Sequence, residues 1–176
     1  MRPAEIEPVK LVVSVLSSET DAAEKALGAL KKRFGETDFK SKECDFNYTD
    51  YYEPEMGKGL KRTMVAFEKL VPPGELSGIK TFTNGIEDCF LTEAGNRRVN
   101  IDPGYLTLEK LVLASCKNFA HRIYLDKGVY AEITLAYKAK DFRPLEWTYP
   151  DYKDAPMLEM LREIRRIYAK NIGRGA

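Results

Sequence analysis

A chain of 176 residues can bury one sizeable core but is short for two independent domains. Apolar residues make up 44% and charged residues 31%, which excludes a disordered chain. With 28 Lys plus Arg against 27 Asp plus Glu, the formal charge of +1 supplies no global field for nucleic acid or anionic lipid.

Three cysteines, Cys44, Cys89 and Cys116, have no C-x-x-C spacing. They argue against a disulfide framework and a thiolate metal site, and they fit a reducing cytoplasm. No apolar run approaches membrane-spanning length, so no membrane partner is expected. The opening residues carry two acids before a short apolar run and no small-residue cleavage pattern. Residues 1–8 are therefore expected to be a flexible N-terminus, and residues 9–172 a single α+β domain.

Residues 9–16 are apolar on nearly both faces and read as a central strand covered on two sides. Ser18, with Asp21 three residues on, imitates a capping box. The helix that follows would bury Ala23, Ala26, Leu27, Leu30 and Phe34 and end at Gly35. Residues 39–48 alternate with period two, placing Cys44, Phe46 and Tyr48 opposite Glu43, Asp45 and Asn47. After "YYEPEMGKG", residues 60–70 resume as a strand, and "VPPGE" leads into a helix over about residues 75–91.

A strand ending at Asp102 completes the order β-α-β-β-α-β over residues 9–106, that of a ferredoxin-like split unit. Residues 107–172 extend it. Residues 107–117 suit a helix or a strand equally, since periodicity does not arbitrate. Residues 119–125 and 129–137 read as a hairpin through a three-residue Asp126-Lys127-Gly128 loop, pairing Leu125 with Val129 and Arg122 with Glu132. Asp154 caps a last helix with the stripe Met157, Leu161, Ile164 and Tyr168.

Candidate chemistry falls on a few sets. At about 100° per residue, Leu76, Ile79, Thr83, Ile86 and Phe90 form the buried stripe of the second helix, and Ser77, Thr81 and Asp88 face water. Lys80, Asn84 and Glu87 line the border, where a cation, an amide and a carboxylate could face a crevice. In "RRVNIDPGYL", Arg98, Asn100 and Asp102 share one face of a strand whose other face is Val99 and Ile101. Asp102, held extended before Pro103, comes near the helix line at the strand's end.

His121 is the lone histidine, so imidazole chemistry can reside nowhere else. It shares a face with Ile123 and Leu125, opposite Arg122 and Tyr124. Lys117, His121 and Arg122 concentrate positive charge that could receive a phosphate or carboxylate. Residues 48–62 gather Asp50, Glu53 and Glu55 in what reads as a mobile, solvated acidic loop with no EF-hand spacing. Within it "GKGLKR" lacks the spacing of a phosphate loop and precedes a strand.

The strings "YYEPEMG", "TNGIE", "VNIDPGYL", "KLVLAS", "HRIYLDKGVYAEITL" and "WTYPDY" together resemble the prokaryotic family termed domain of unknown function 4416, over about residues 9–152. The resemblance implies a shared fold and a shared site. The family strings contain Glu53 and Glu55, Asn84 and Glu87, Asn100 and Asp102, Lys117, His121, Arg122 and Glu132, and Trp147 with Tyr149 and Asp151.

The leading functional expectation is a binding protein or enzyme for a small anionic ligand, nucleotide-like or otherwise phosphorylated. Lys80, Arg98, Lys117 and Arg122 would supply cationic contacts, with Asn84, Asn100 and Glu132 beside them. Glu87 and Asp102 would act as acid and base or as Mg²⁺ ligands, and His121 as proton carrier. One alternative is an RNA-binding module presenting Tyr48, Tyr51, Tyr52 and Phe67, which the near-neutral charge disfavours. Another is a non-catalytic interaction or oligomerisation unit that docks through its last helix.

Overall fold

The first strand dictates the layering. β1 (Lys10–Ser17) carries apolar side chains at five of its eight positions, distributed over both faces, and all eight residues are buried. A strand apolar on both faces must be covered on both. Leu11, Val13 and Val15 enter one core, and Val12 enters a second. The chain is described here from a computed structural model covering residues 5–174. Residues 1–4 of the expected flexible N-terminus lie outside the described residues, and residues 5–8 are exposed without regular structure.

The order continues with α1 (Thr20–Phe34), β2 (Thr37–Lys40), β3 (Cys44–Asp45), the one-turn α2 (Glu53–Met56), β4 (Lys61–Phe67), α3 (Leu76–Asp88), β5 (Val99–Leu106) and β6 (Lys110–Ser115). Then come β7 (Ile123–Asp126), β8 (Val129–Lys138), β9 (Asp141–Pro144) and α4 (Ala155–Asn171). Among the described residues these strands form one nine-stranded sheet in the order β2-β4-β1-β5-β6-β8-β7, with β3 also on β4 and β9 also on β8. Every pairing is antiparallel. The class is α+β.

Two cores follow from this sheet. On one face Val13, Val65, Val99 and Ile101 pack under Ala26, Leu30 and Phe34 of α1 and Ile79 and Ile86 of α3. On the other, Met64, Leu106, Leu111, Leu113 and Leu135 pack under Met157, Leu161, Ile164 and Tyr168 of α4. Apolar side chains buried this way stabilise by about 1.5–3 kcal/mol each. The α4 stripe therefore serves the chain's own core and is not left free for docking. Asp154 caps the helix as expected, accepting the Ala155 N–H at 2.9 Å.

Several expectations are corrected. Ser18 does not cap α1: Glu19 occupies that position without a side-chain bond, while Ser18 Oγ donates to the Met56 carbonyl at 2.9 Å. The strand read over residues 39–48 is two short strands, both on β4. The second helix is shorter than residues 75–91, because "PGE" forms a 3-10 turn before Leu76 and the α-helix ends at Asp88. Ser77, expected to face water, is buried. Residues 107–117 resolve as the strand β6. The hairpin loop is two residues, Lys127 and Gly128, both with positive φ, and Asp126, not Leu125, pairs with Val129.

β6 joins β5 only at Gly104, Tyr105 and Leu106. There Gly104 admits the crossing of β6: a Cβ on it would lie 2.4 Å from the Val112 carbonyl oxygen and 2.7 Å from Leu113 Cδ2. The obstruction is backbone and does not swing aside. Gly104→Ala is expected to destabilise by about 1–3 kcal/mol through overpacking, read as a lower denaturant midpoint at an unchanged slope. A midpoint equal to that of wild type would contradict the close approach.

Candidate functional site

Beyond Gly104 the two strands part. Residues 99–103 of β5 keep β1 on one side, but their other edge has no strand partner. Side chains of α3 take its place at Ile101. Lys80 Nζ donates to the Ile101 carbonyl at 2.8 Å, and the Ile101 N–H donates to Glu87 at 2.5 Å. Both side chains are buried, and their separation of 4.0 Å makes them an ion pair as well. Lys80 also reaches Asp102 Oδ1 at 3.3 Å through the open edge.

Val99 and Ile101 face α1 and α3, so Asn100 and Asp102 face the opposite layer. In register, Asp102 lies opposite Ser14, which lies opposite Met64. Asn100 lies opposite Leu16, which lies opposite Arg62. Asn100 Nδ2 donates to Asp102 at 2.6 Å, and Asn100 Oδ1 accepts from Arg97 at 2.7 Å. Arg97 grips Glu55 with Nε at 2.8 Å and Nη2 at 2.7 Å. Arg62 pairs with Asp151 and stacks between the rings of Phe46 and Tyr152, at 4.7 and 5.3 Å. The Asp102 side chain remains 33% exposed.

Three tyrosines form a rim around this floor. Tyr51 accepts from Lys117 Nζ at 2.5 Å, joining residues 47–59 to the segment after β6. Tyr149 accepts from Arg122, joining that segment to residues 145–154, and Tyr48 donates to Asp154, closing the circuit. The bond to Asp154 pushes the Tyr48 phenol up to about 12. Burial, and then surrounding carboxylates that include Asp102, raise Tyr149 and Tyr152 as well. The Tyr48 and Tyr149 phenols of the rim are thus protonated near neutral pH.

On the β8 side Glu132 accepts from Arg122 Nε at 2.7 Å and meets His121 Nε2 at 3.1 Å. Because a carboxylate only accepts, the Nε2 that meets Glu132 carries a proton. The imidazole stacks flat on Trp147, with centroids 5.0 Å apart and planes at 7°. Sequence alternation put His121 and Arg122 on opposite faces. They converge on one carboxylate because both precede the first residue of β7 and lie in a turn.

The structure brings Lys80, Glu87, Asn100 and Asp102 together, and Arg122, His121 and Glu132 together; Lys117 stands on the rim. Asn84 stays near the open edge, donating to Cys116 Sγ at 3.3 Å. Arg98 is not part of the set: it precedes β5 and pairs with Glu19 beside α1. Arg62, Arg97 and Ser14 were missed. Arg62 carried a signal, a cation alternating with Met64 and Ala66 on an inward face, whereas Arg97 and Glu55 meet only in the tertiary fold. Glu55 is held by that pairing, so the acidic loop is fastened at this point. Phe67 is fully buried under α1 and unavailable for stacking. Two hollows elsewhere, of about 160 and 500 Å³, are lined by residues outside these sets.

A family model for a domain of unknown function, DUF4416, matches residues 7–168. The chain belongs to that family. No curated protein and no solved structure matches the DUF4416 chain. Among its described residues, no group of three or more His, Cys, Asp or Glu side chains could hold a metal ion. No described helix of this DUF4416 member is long and apolar enough to cross a membrane.

Two carboxyls of the site titrate in opposite directions. Burial raises Glu87 above the ordinary value of 4.5, with Lys80 and the Ile101 N–H pulling partly back. The bonds from Arg97 lower Glu55 below the same value. The stability from Glu87 is fully present below its unfolded pKa and lost as pH rises through the raised value; that from Glu55 is present above its unfolded pKa and lost as pH falls through the lowered one. In denaturant unfolding across pH, Glu87→Gln should gain on wild type as pH rises from 4.5, and Glu55→Gln as pH falls below it. Curves parallel to wild type would refute the assignment.

Proposed function

We propose that this face binds a small anionic ligand, nucleotide-like or otherwise phosphorylated, with its anionic group at Lys117 and its hydroxyl or amino groups at Asp102. One observation carries the reading. Among the described residues three buried side-chain polar atoms have no hydrogen-bond partner, and two of them, Ser14 Oγ and Arg62 Nε, lie in this face, beside the one-third-exposed Asp102. Buried groups of this kind cost about 1–3 kcal/mol each and are rare enough to need a reason.

The charges refine the ligand. Arg62, Lys80, Arg97 and Arg122 are each paired with carboxylates. Lys117 is the cation of the set whose partner is a phenol. Paired charges cancel at a distance, so affinity would rest on short contacts and not on long-range attraction. Trp147 and Tyr149 offer part-exposed aromatic surface near the rim for a ring system. His121, with Nε2 committed to Glu132, is the group placed to accept a proton at Nδ1 in any reaction on the bound ligand.

The sheet order β2-β4-β1-β5 and its antiparallel pairing support a ferredoxin-like split unit for residues 9–106, with β6 to β9 and α4 added to it. Three cysteines that are free and exposed support a reducing, cytoplasmic setting.

A thermal-shift panel of nucleotides, sugar phosphates and their dephosphorylated counterparts, with and without Mg²⁺, tests the ligand. A compound at about 100 times its Kd stabilises by roughly 2.7 kcal/mol, about 5–10 °C in Tm for a chain of this size. The shift should appear for phosphorylated members and vanish in Asp102→Asn and Lys117→Met. Melting curves that stay flat across the panel would remove the reading.

A further inference from the structure

Residues 47–59 leave the sheet after β3 and return at β4 through a neck closed by the Phe46 N–H to Leu60 carbonyl bond at 2.8 Å. A compact surface loop of this length, with adjoining ends and its own side chains as filling, is an Ω-loop, a class often functional. Its filling is a small core of Leu16, Phe46, Met56 and Leu60 with Tyr52 against it, separate from the two main cores.

The two halves of the loop are fastened differently. In the second half Met56 is buried, its carbonyl accepts from Ser18 at 2.9 Å, and Glu55 accepts the Arg97 N–H at 3.1 Å in addition to its guanidinium. Gly57 and Gly59, with φ of 76° and 73°, set the return to β4. The first half is held at its far side by two exposed tyrosines, Tyr48 on Asp154 and Tyr51 on Lys117. Hydrogen bonds between exposed side chains contribute little and break readily.

Beneath the first half lies Phe46, and beneath Phe46 the guanidinium whose Nε has no partner. Tyr48 and Tyr52 pack on Phe46 at 5.5 and 6.0 Å, Phe46 covers Arg62, and the Arg62 side chain is nine-tenths buried. We propose that residues 47–52 are a lid over the Asp102 face. It opens by releasing Tyr48 from Asp154 and Tyr51 from Lys117, while the Glu53–Met56 turn stays anchored. The lid rests on the reading of that face as a ligand site. Lys117 then has two duties, holding the lid and meeting the anion, so a ligand that engages Lys117 competes with Tyr51 and favours opening.

The test needs no ligand. The Arg62 Nε–H, buried and without an acceptor, exchanges with water only when uncovered. Its exchange rate is measured by NMR on the full chain, alongside that of the Ile101 amide, which is held by Glu87. In Tyr48→Phe/Tyr51→Phe the Arg62 Nε–H should exchange about tenfold faster or more, with the Ile101 amide unchanged. An unchanged Arg62 rate overturns the lid. Equal acceleration of both protons also overturns it, because the substitutions would then act through global unfolding. A flat ligand panel would leave this result standing, and a failed lid would leave the ligand panel standing.

Discussion

A buried backbone N–H and C=O must each find a partner, and the site depends on how Ile101 meets that requirement. Were β6 to continue alongside β5, Ile101 would be satisfied by a neighbouring strand and the sheet would be closed. Instead β6 departs after its pairing with Gly104, and Lys80 and Glu87 serve as donor and acceptor in place of a strand. Two ionised groups brought out of water at this point are costly, but each meets a backbone dipole and the other's charge, which offsets much of the penalty. The departure of β6 lets Lys80 reach Asp102 through the sheet edge, so a helix on one face touches chemistry on the other.

The polar face is electrically matched. Each Arg or Lys on its floor already meets a carboxylate, and the arrangement is built as much from carboxylates as from cations. Such a surface discriminates by geometry, because a ligand has to replace bonds already made with bonds of equal quality. It also accounts for the tyrosines. A phenol donates or accepts without adding charge near neutral pH, so Tyr48, Tyr51 and Tyr149 can link three separate segments without unbalancing the floor.

What could be read from the sequence was local. The α4 stripe and its Asp154 cap follow from period and capping chemistry within one helix, and the border position of Lys80 and Glu87 follows from angular arithmetic on α3. The pairing of Arg122 with Glu132 is also found, although Arg122 reaches the carboxylate from the turn before β7 and not from a paired strand position. Alternation misled only where it was carried past a strand's end. Arg98 sits before β5 and His121 before β7, so neither obeys the face assigned by counting back. Arg97 with Glu55, 42 residues apart, and Arg62 with Asp151, 89 apart, depend on loops crossing the sheet, and no local pattern encodes that.

The position of the site follows from how far one helix can cover one face. Across the sheet, Leu106, Leu111 and Leu135 form an apolar row that ends at the buried Lys10, whose ammonium is met by Asp38 and Asn171, and Ala66, Val12, Gly104, Leu113 and Glu132 form the next. The following rows, Asp102 with Ser14 and Met64, and Asn100 with Leu16 and Arg62, turn polar. The apolar stripe of α4 matches the first rows and would leave charges unpaired on the later ones, so the helix stops short of them, with its first residues only at Asp154 and Ala155. Irregular segments, rich in tyrosine and able to hydrogen-bond, take over the cover at that end. The boundary between helical and loop cover is therefore set by the change from apolar to polar rows in the sheet, and the rim of the site lies along that boundary.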